Sequence, residues 1–406
     1  MLDKVSADNL ACFGGKALFD SVKSTSSLYQ PQLEAFLAYS KQFHDRKWYT
    51  NNGVLVKELE RRLAEFHNVP YCITFCSGFW ALALTMAALK LDGRSEVLMP
   101  SFTYRRMADI AAWVGLKPRF CEVDPETLAI TAETARPWIT DQTALILGMH
   151  PIVNCCDVNG LVELGREHGI PVLFDGVESM YESIPEGKIG QFGEAECFSL
   201  HASKLLNGFE GGYVTTTRRE LAEKLGLLRG FGFQGQDRCV LSGALNAKLN
   251  EVHAAMALAN LDELPQVIHD NELRYRAYQR GLSGAAAIPG LRLLAFDESQ
   301  KSSFKNIVVD VQEAFPLTRD ELVTVLNAER ILARAHYAPA LHQKVMQYPY
   351  VPAHLPVTDK LAERFLNLPC GYFVEEEDIE RVCEFLRFVH QHGPVIRNRL
   401  KLKEAA

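Results

Sequence analysis

The ten cysteines of this 406-residue chain form no Cys-x-x-Cys pair and match none of the His/Cys spacings of a zinc site. A chain of this length buries a core without disulfide staples, so reduced thiols in the cytoplasm are expected, and no metal. Positive charge is not in excess either. Lys and Arg number 43 against 50 Asp and Glu, a net charge of −7. That balance disfavours non-specific binding to nucleic acid or to an anionic membrane, and makes any phosphate site a local affair. No apolar run approaches the ~20 residues that a membrane-spanning helix needs. The opening residues, Met1 to Asp8, lack the basic segment and apolar stretch of an export signal. Internal repeats and low-complexity tracts are absent as well. What remains is an ordinary globular chain.

With 48% hydrophobic and 10% aromatic residues the chain can bury a large core, and its length suggests two lobes. From about Lys57 helical and strand patterns alternate, the signature of a doubly wound, mostly parallel α/β sheet. Leu55, Leu59, Leu63 and Phe66 recur at helical spacing. Seven short apolar runs read as strands: Cys72–Phe75, Glu96–Met99, Pro118–Cys121, Ala144–Leu147, Pro171–Phe174, Cys197–Ser199 and Tyr213–Thr216. A helix-rich stretch over Glu251–Leu282 reads as a connector, and Ser283–Gly290 as a lobe boundary. A smaller α+β domain should follow, with a strand at Asn306–Asp310, a helix at Arg319–Ala328 and a closing helix at Glu375–His390. The expected organisation is an amino-terminal arm or helix over residues 1–54, a large α/β domain over 55–282 and the small domain over 283–406. The first fifty residues are the least readable, and suggest an arm that crosses the active site or a neighbouring subunit.

Two residues carry the chemistry. Lys204 lies just beyond the apolar run at Cys197–Ser199, and its ε-amine suits imine formation with an aldehyde cofactor. Once free, the same amine can move protons as a general acid and base. Asp175 ends the run Val172-Leu-Phe174, and a strand end is where an open α/β sheet delivers side chains into its ligand crevice. Such a carboxylate would hold a pyridine nitrogen protonated, keeping the ring an electron sink; read on its own, Asp175 is equally a helix N-cap. Lysine and aspartate together point to pyridoxal 5'-phosphate. Ser77-Gly78 opens a helix directly after a strand, where free N–H groups and the helix dipole face outward toward a phosphate. Ser199 could add a hydroxyl, Tyr104 could stack on the ring, and His201 is a further candidate at the cofactor. Gly230-Phe-Gly232-Phe-Gln-Gly235 matches Gly-x-Gly-x-x-Gly in form only. It follows a helical pattern rather than a strand, so it reads as a glycine loop and not as a dinucleotide site.

Taken in order, Trp48-Tyr-Thr-Asn-Asn-Gly53, Cys76-Ser-Gly78, Pro100-Ser-Phe-Thr-Tyr104, Asp124-Pro-Glu-Thr127, Asp175, Ser199-Leu-His-Ala-Ser-Lys204, Asn246-Ala-Lys-Leu249, Ala333-Arg-Ala-His-Tyr337 and Leu368-Pro369 resemble the DegT/DnrJ/EryC1/StrS family of pyridoxal phosphate aminotransferases. The resemblance implies the aspartate aminotransferase-like fold (fold type I). It also implies transfer of an amino group from glutamate or glutamine to a keto sugar, mostly nucleotide-linked, in amino-sugar, polysaccharide or natural-product biosynthesis. By it Lys204 corresponds to the Schiff-base lysine, Asp175 to the partner of the pyridine nitrogen, Ser199 with Ser77-Gly78 to the phosphate cradle, and Tyr104 to the stacking aromatic. Asn246 matches a residue that reaches the phosphate from the other subunit, which implies a homodimer with shared active sites and places Lys248 at the same interface. Two departures stand out. The family usually has Ser-Gly-Thr where this chain has Ser77-Gly78-Phe79, and Gln or His where it has Glu178. A carboxylate beside a phenolate oxygen is repulsive unless it is protonated or turned away. Other readings are the same cofactor acting on a carbocyclic or other non-nucleotide ketone, and a non-catalytic regulatory member of the fold.

Overall fold

A computed structural model describes residues 4–235 and 238–404; Met1–Asp3, the head of the stretch read above as lacking an export signal, lie outside the described residues. All seven strands read from the sequence are present, with limits that differ by a residue or two. They are β1 (Tyr71–Phe75), β2 (Glu96–Pro100), β3 (Lys117–Cys121), β4 (Thr143–Met149), β5 (Val172–Asp175), then, after a short hairpin of β6 (Ser183–Ile184) and β7 (Gly187–Lys188), β8 (Ala195–Ser199) and β9 (Gly212–Thr216). In the sheet they lie in the order β1-β9-β8-β5-β4-β2-β3. Only β9 runs against its neighbours, antiparallel to both β1 and β8. The other pairings are parallel.

Central strands such as β4 are buried along their whole length, as a sheet covered by helices on both faces requires. The helix Gly78–Leu89 is apolar almost all round, with Ala81, Leu82, Ala83, Leu84, Thr85, Met86 and Leu89 buried, so it lies inside the core rather than on it. Pro118, which has no N–H to give a ladder, sits in the edge strand β3. The helix Val54–His67 buries Leu55, Leu59 and Leu63 as their spacing predicts.

The smaller carboxy-terminal α+β domain is built on an antiparallel sheet ordered β10-β11-β13-β12, from β10 (Leu291–Leu293), β11 (Ile307–Val311), β12 (Arg334–Ala335) and β13 (Phe365–Leu368). The expected helix Arg319–Ala328 is there, opened by a capping box between Thr318 and Glu321. The connector is two helices, Glu251–Asp262 and Leu264–Leu282, broken at Glu263 because Pro265 cannot donate within a continuous helix but suits a helix start. The closing helix runs from Glu376 to Glu404, well past His390, with Pro394 inside it; Ile396 and Leu400 are buried in the core and hold the extension down.

The amino-terminal segment packs on its own chain. Ala7, Leu10, Cys12, Leu18 and Phe19 join the core of the carboxy-terminal sheet, and Lys23 bridges to Ile331. Farther along, the Ser27 N–H donates to the Ser203 carbonyl at 3.3 Å, and Asn207 Nδ2 donates to the Tyr29 carbonyl at 2.9 Å. The segment therefore runs beside the loop that carries Lys204. No helix among the described residues is long and apolar enough to cross a membrane. The Gly230–Gly235 segment closes the helix Arg219–Arg229 and opens none.

Candidate active site

The sheet delivers its side chains at one edge. Strands β2, β5 and β8 end there, at Pro100, Asp175 and Ser199, and β1 ends there at Phe75 beside Gly212, which also faces Ser199. The loops that leave these ends carry Ser77-Gly78, Tyr104, Glu178 and Lys204, so one crevice collects residues up to 127 apart in sequence.

Asp175 is 2% exposed. Its Oδ1 accepts the Val177 N–H at 3.0 Å, and its Oδ2 has no hydrogen-bond partner among the described residues. Burial pushes this carboxyl up to about 6; the Val177 N–H and the Lys204 ammonium pull the other way and fall short. A buried, half-satisfied carboxylate is costly unless something cationic meets it, and Oδ2 is the atom left free to do so.

Lys204 Nζ donates to Glu178 Oε1. The other oxygen of that carboxylate accepts from Lys305 Nζ at 2.8 Å. Burial would raise the Glu178 carboxyl, yet the Lys204 and Lys305 ammoniums overcome it and hold the group far below the usual carboxylate range. Lys204 answers in kind: burial lowers it, but Glu178 first and Asp175 after it raise the ammonium above its ordinary value. Glu178 is thus an anion bound between two cations, turned toward Lys204 and Lys305.

At the opposite side of the crevice Ser77 caps the helix Gly78–Leu89, accepting the Trp80 N–H at 3.3 Å. The N–H groups of the first turn remain for an anion. Space there is reserved: a Cβ on Gly78 would come within 3.1 Å of the Ser199 Cβ, and one on Gly212 within 2.6 Å of the Gly78 backbone. Ser199 Oγ accepts the His201 N–H at 3.2 Å. Phe79 packs edge-on to Trp80, 5.3 Å between ring centroids, and adds no polar group.

Tyr104 is half exposed, close enough to Lys204 for its hydroxyl to bear on the ammonium. His201 is not brought to Asp175 or Glu178; its ring meets Ser203 Oγ at 2.9 Å and leans toward the Glu210 carboxylate at 3.7 Å. Asn246 is exposed and pairs through its backbone with Gly230. Lys248 Nζ lies over the Phe231 ring, 4.4 Å from its centroid. Among the described residues no group of three or more His, Cys, Asp or Glu side chains could hold a metal ion.

Two participants escaped the sequence reading. Lys305 stands ahead of β11, and only its type, a lysine at the mouth of an apolar strand, signalled it. Tyr337 was read only as part of a motif; burial, then the Glu178 and Asp175 carboxylates, push its hydroxyl up, which puts it against the same anions. Its neighbour His336, lowered to about 3 by burial, is neutral. Both rings pack on Phe102, at 5.2 and 5.7 Å, which couples the Tyr104 loop to the carboxy-terminal sheet.

Residues 32–387 match the model of the DegT/DnrJ/EryC1/StrS aminotransferase family. The chain is 28% identical over 365 residues to the dTDP-4-amino-4,6-dideoxy-D-glucose transaminase of Shigella dysenteriae, covering 88% of this chain and 96% of that one. It is 31% identical over 336 residues to the UDP-N-acetyl-3-dehydro-alpha-D-glucosamine 3-aminotransferase of Acidithiobacillus ferrooxidans, covering 82% and 87%. Among solved structures it is similar to DesI in the presence of its TDP-sugar product, with a TM-score of 0.90, 32% identity, and coverage of 98% of this chain and 100% of that one.

Proposed function

This chain belongs to the DegT/DnrJ/EryC1/StrS aminotransferase family and is a pyridoxal phosphate-dependent aminotransferase; from that premise we propose that it moves an amino group from glutamate or glutamine onto a keto sugar carried on a nucleotide. The observation that carries the reading is a buried carboxylate with one free oxygen, Asp175 Oδ2, in the same crevice as the reactive amine of Lys204. Relatives whose names specify nucleotide-linked amino sugars give the substrate class.

The residues present fit the cofactor. The lone Oδ2 suits a protonated ring nitrogen, and the Gly78–Ser199–Gly212 corner, which any added Cβ would fill, suits a phosphate. Pyridoxal phosphate supplies an aldehyde carbon that joins amines and a cationic ring that accepts the electron pair left on carbon. Asp175 holds the proton on the ring nitrogen through a charge-assisted hydrogen bond. Ser77, Gly78 and Ser199 bind the phosphate, with the first-turn N–H groups in place of a threonine hydroxyl where Phe79 stands. Tyr104 would stack on the ring. Lys204 Nζ takes the proton from the donor's Cα and returns a proton on the acceptor side, so one amine serves both halves of the cycle. Glu178, held by Lys305, is spared repulsion with the ring oxygen. His201 and Asn246 act at the rim, Asn246 toward the partner's phosphate.

Arg105 and Arg106 follow Tyr104 directly and are exposed, and Lys344 Nζ donates to the Arg105 carbonyl at 3.3 Å. In a chain of net charge −7 this basic rim is where we place the nucleotide's diphosphate. We place the protein in the cytoplasm, since all ten cysteines are free, and as a homodimer with shared sites. Its organisation follows the limits 1–54, 55–282 and 283–406. A panel of ketones supplied with glutamate tests the substrate: nucleotide-linked keto sugars should turn over fastest, and a clear preference for a carbocyclic or unlinked ketone overturns the proposal. A protein that never colours with added cofactor would instead be a scaffold.

A further inference from the structure

One buried carboxylate faces two ammoniums at this site. Glu178 stands three residues past Asp175, on a turn tightened by the Val177 N–H bond to Asp175 Oδ1 and the Ser179 N–H bond to the Gly176 carbonyl at 2.9 Å. Its two oxygens are divided between Lys204 and Lys305. The Lys305 side chain is 4% exposed, far less than the 22% of Lys204. Lys305 is also moored through its chain neighbour: its Nζ lies 3.4 Å from Asn306 Oδ1, and Asn306 Nδ2 donates to the Ile152 carbonyl, in the loop after β4, at 3.2 Å. Both lysines precede or follow their strands on loops, but Lys204 is the more exposed and the one that must leave to react, whereas Lys305 is buried and doubly held.

The reaction requires the Lys204 amine to lose its proton and leave Glu178. A carboxylate abandoned in a buried site is strongly destabilised, because nothing replaces the lost solvation. With no second cation the carboxylate would grip the Lys204 ammonium, and each departure would strand a charge. With Lys305 in place the pair that stays behind is neutral and already hydrogen-bonded. We propose that Lys305 is a positioning residue of the amino-transfer reaction: it acts through Glu178, keeping that carboxylate matched whenever the Lys204 amine is released to react. This rests on the aminotransferase reading above and adds to it a residue outside the cofactor's own contacts.

Other charged or titratable groups face the same amine, and the test must separate them. Asp175 and Tyr104 bear directly on Lys204. His336 and Tyr337 face Glu178 from the carboxy-terminal sheet, and the Cys370 thiol faces Lys305. Lys305 could also act by plain repulsion between two ammoniums, without Glu178. A double-mutant cycle tells these routes apart.

The experiment follows capture of pyridoxal phosphate by cofactor-free protein, read from the visible band as a function of pH, for the parent chain, Lys305→Met, Glu178→Gln and the double variant. Lys305→Met should move the capture profile at least one unit toward high pH, so that capture near neutral pH slows about tenfold, since one unit is a tenfold change in the free amine. In the Glu178→Gln background the same substitution should move the profile by less than about 0.3 unit. Lys305→Arg, which keeps the charge, should leave it where it was. Equal shifts in both backgrounds, or no shift in either, overturn the proposal. If Lys305→Met does not fold, Lys305→Gln is read the same way; the double variant strands no charge. A parent chain that captures no cofactor at any pH defeats the aminotransferase reading itself, a separate outcome.

Discussion

Asp175 and Glu178 are three residues apart and are driven in opposite directions. Burial raises Asp175 from 3.8 to about 6. Its ionised form is therefore the destabilised one: the cost is absent below about pH 4, grows through the window up to about 6, and stands in full above it. Asp175→Asn should accordingly stabilise the cofactor-free protein at pH 8 by up to about 3 kcal/mol, and hardly at all at pH 4, while amino transfer by the loaded enzyme falls by roughly 10²–10³-fold. Thermal melts at the two pH values check the first part and steady-state rates the second; a loss of stability at pH 8 contradicts the account. Glu178 runs the other way: held low by two ammoniums, its contribution is present above its ordinary value of 4.5 and is lost only in stronger acid. Lys204→Ala should abolish both half-reactions and leave the fold intact. Lysine and aspartate were legible in the sequence because each sits at a strand end with a recognisable apolar run before it. Lys305 was not, because nothing local beyond its type distinguishes it: its meeting with Glu178 spans 127 residues and exists only once the two sheets are packed.

At the scale of elements, the crevice depends on two glycines. A Cβ on Gly212 would lie 2.6 Å from the Gly78 backbone, and backbone cannot step aside as the tip of a side chain can. Gly212→Ala should push β9 away from the head of the helix Gly78–Leu89, cost about 1–3 kcal/mol and weaken cofactor binding. A melt and a cofactor titration measure both, and unchanged affinity would remove the corner from the phosphate site. The strands were readable as apolar runs, and their number held. Their order was not, because nothing in Gly212–Thr216 announces that β9 alone turns against the rest. The helix-rich connector was readable over its whole length, and Pro265 at the head of the second helix marks where it divides. The closing helix was read only as far as His390; Pro394 weighs against continuation, and burial of Ile396 and Leu400, which only the packed structure shows, outweighs it.

For the whole molecule the proposals concern assembly and the approach of substrate. If each active site draws Asn246 from the partner, inactive Lys204→Ala and Asn246→Ala proteins should complement one another when unfolded together and refolded. Random pairing makes half the dimers mixed with one sound site each, so about a quarter of parental activity should return; no recovery contradicts shared sites. Removing the basic rim with Arg105→Gln and Arg106→Gln should raise KM for a nucleotide-linked acceptor far more than it lowers kcat, and blunt the salt dependence of KM. All of this assumes that one particular amine takes the cofactor. The most direct measurement is borohydride reduction of the protein loaded with pyridoxal phosphate, followed by digestion and peptide mass spectrometry. A phosphopyridoxyl group on Lys204, with Lys305 unmodified, is the predicted result; a modified Lys305, or no adduct on Lys204, contradicts it.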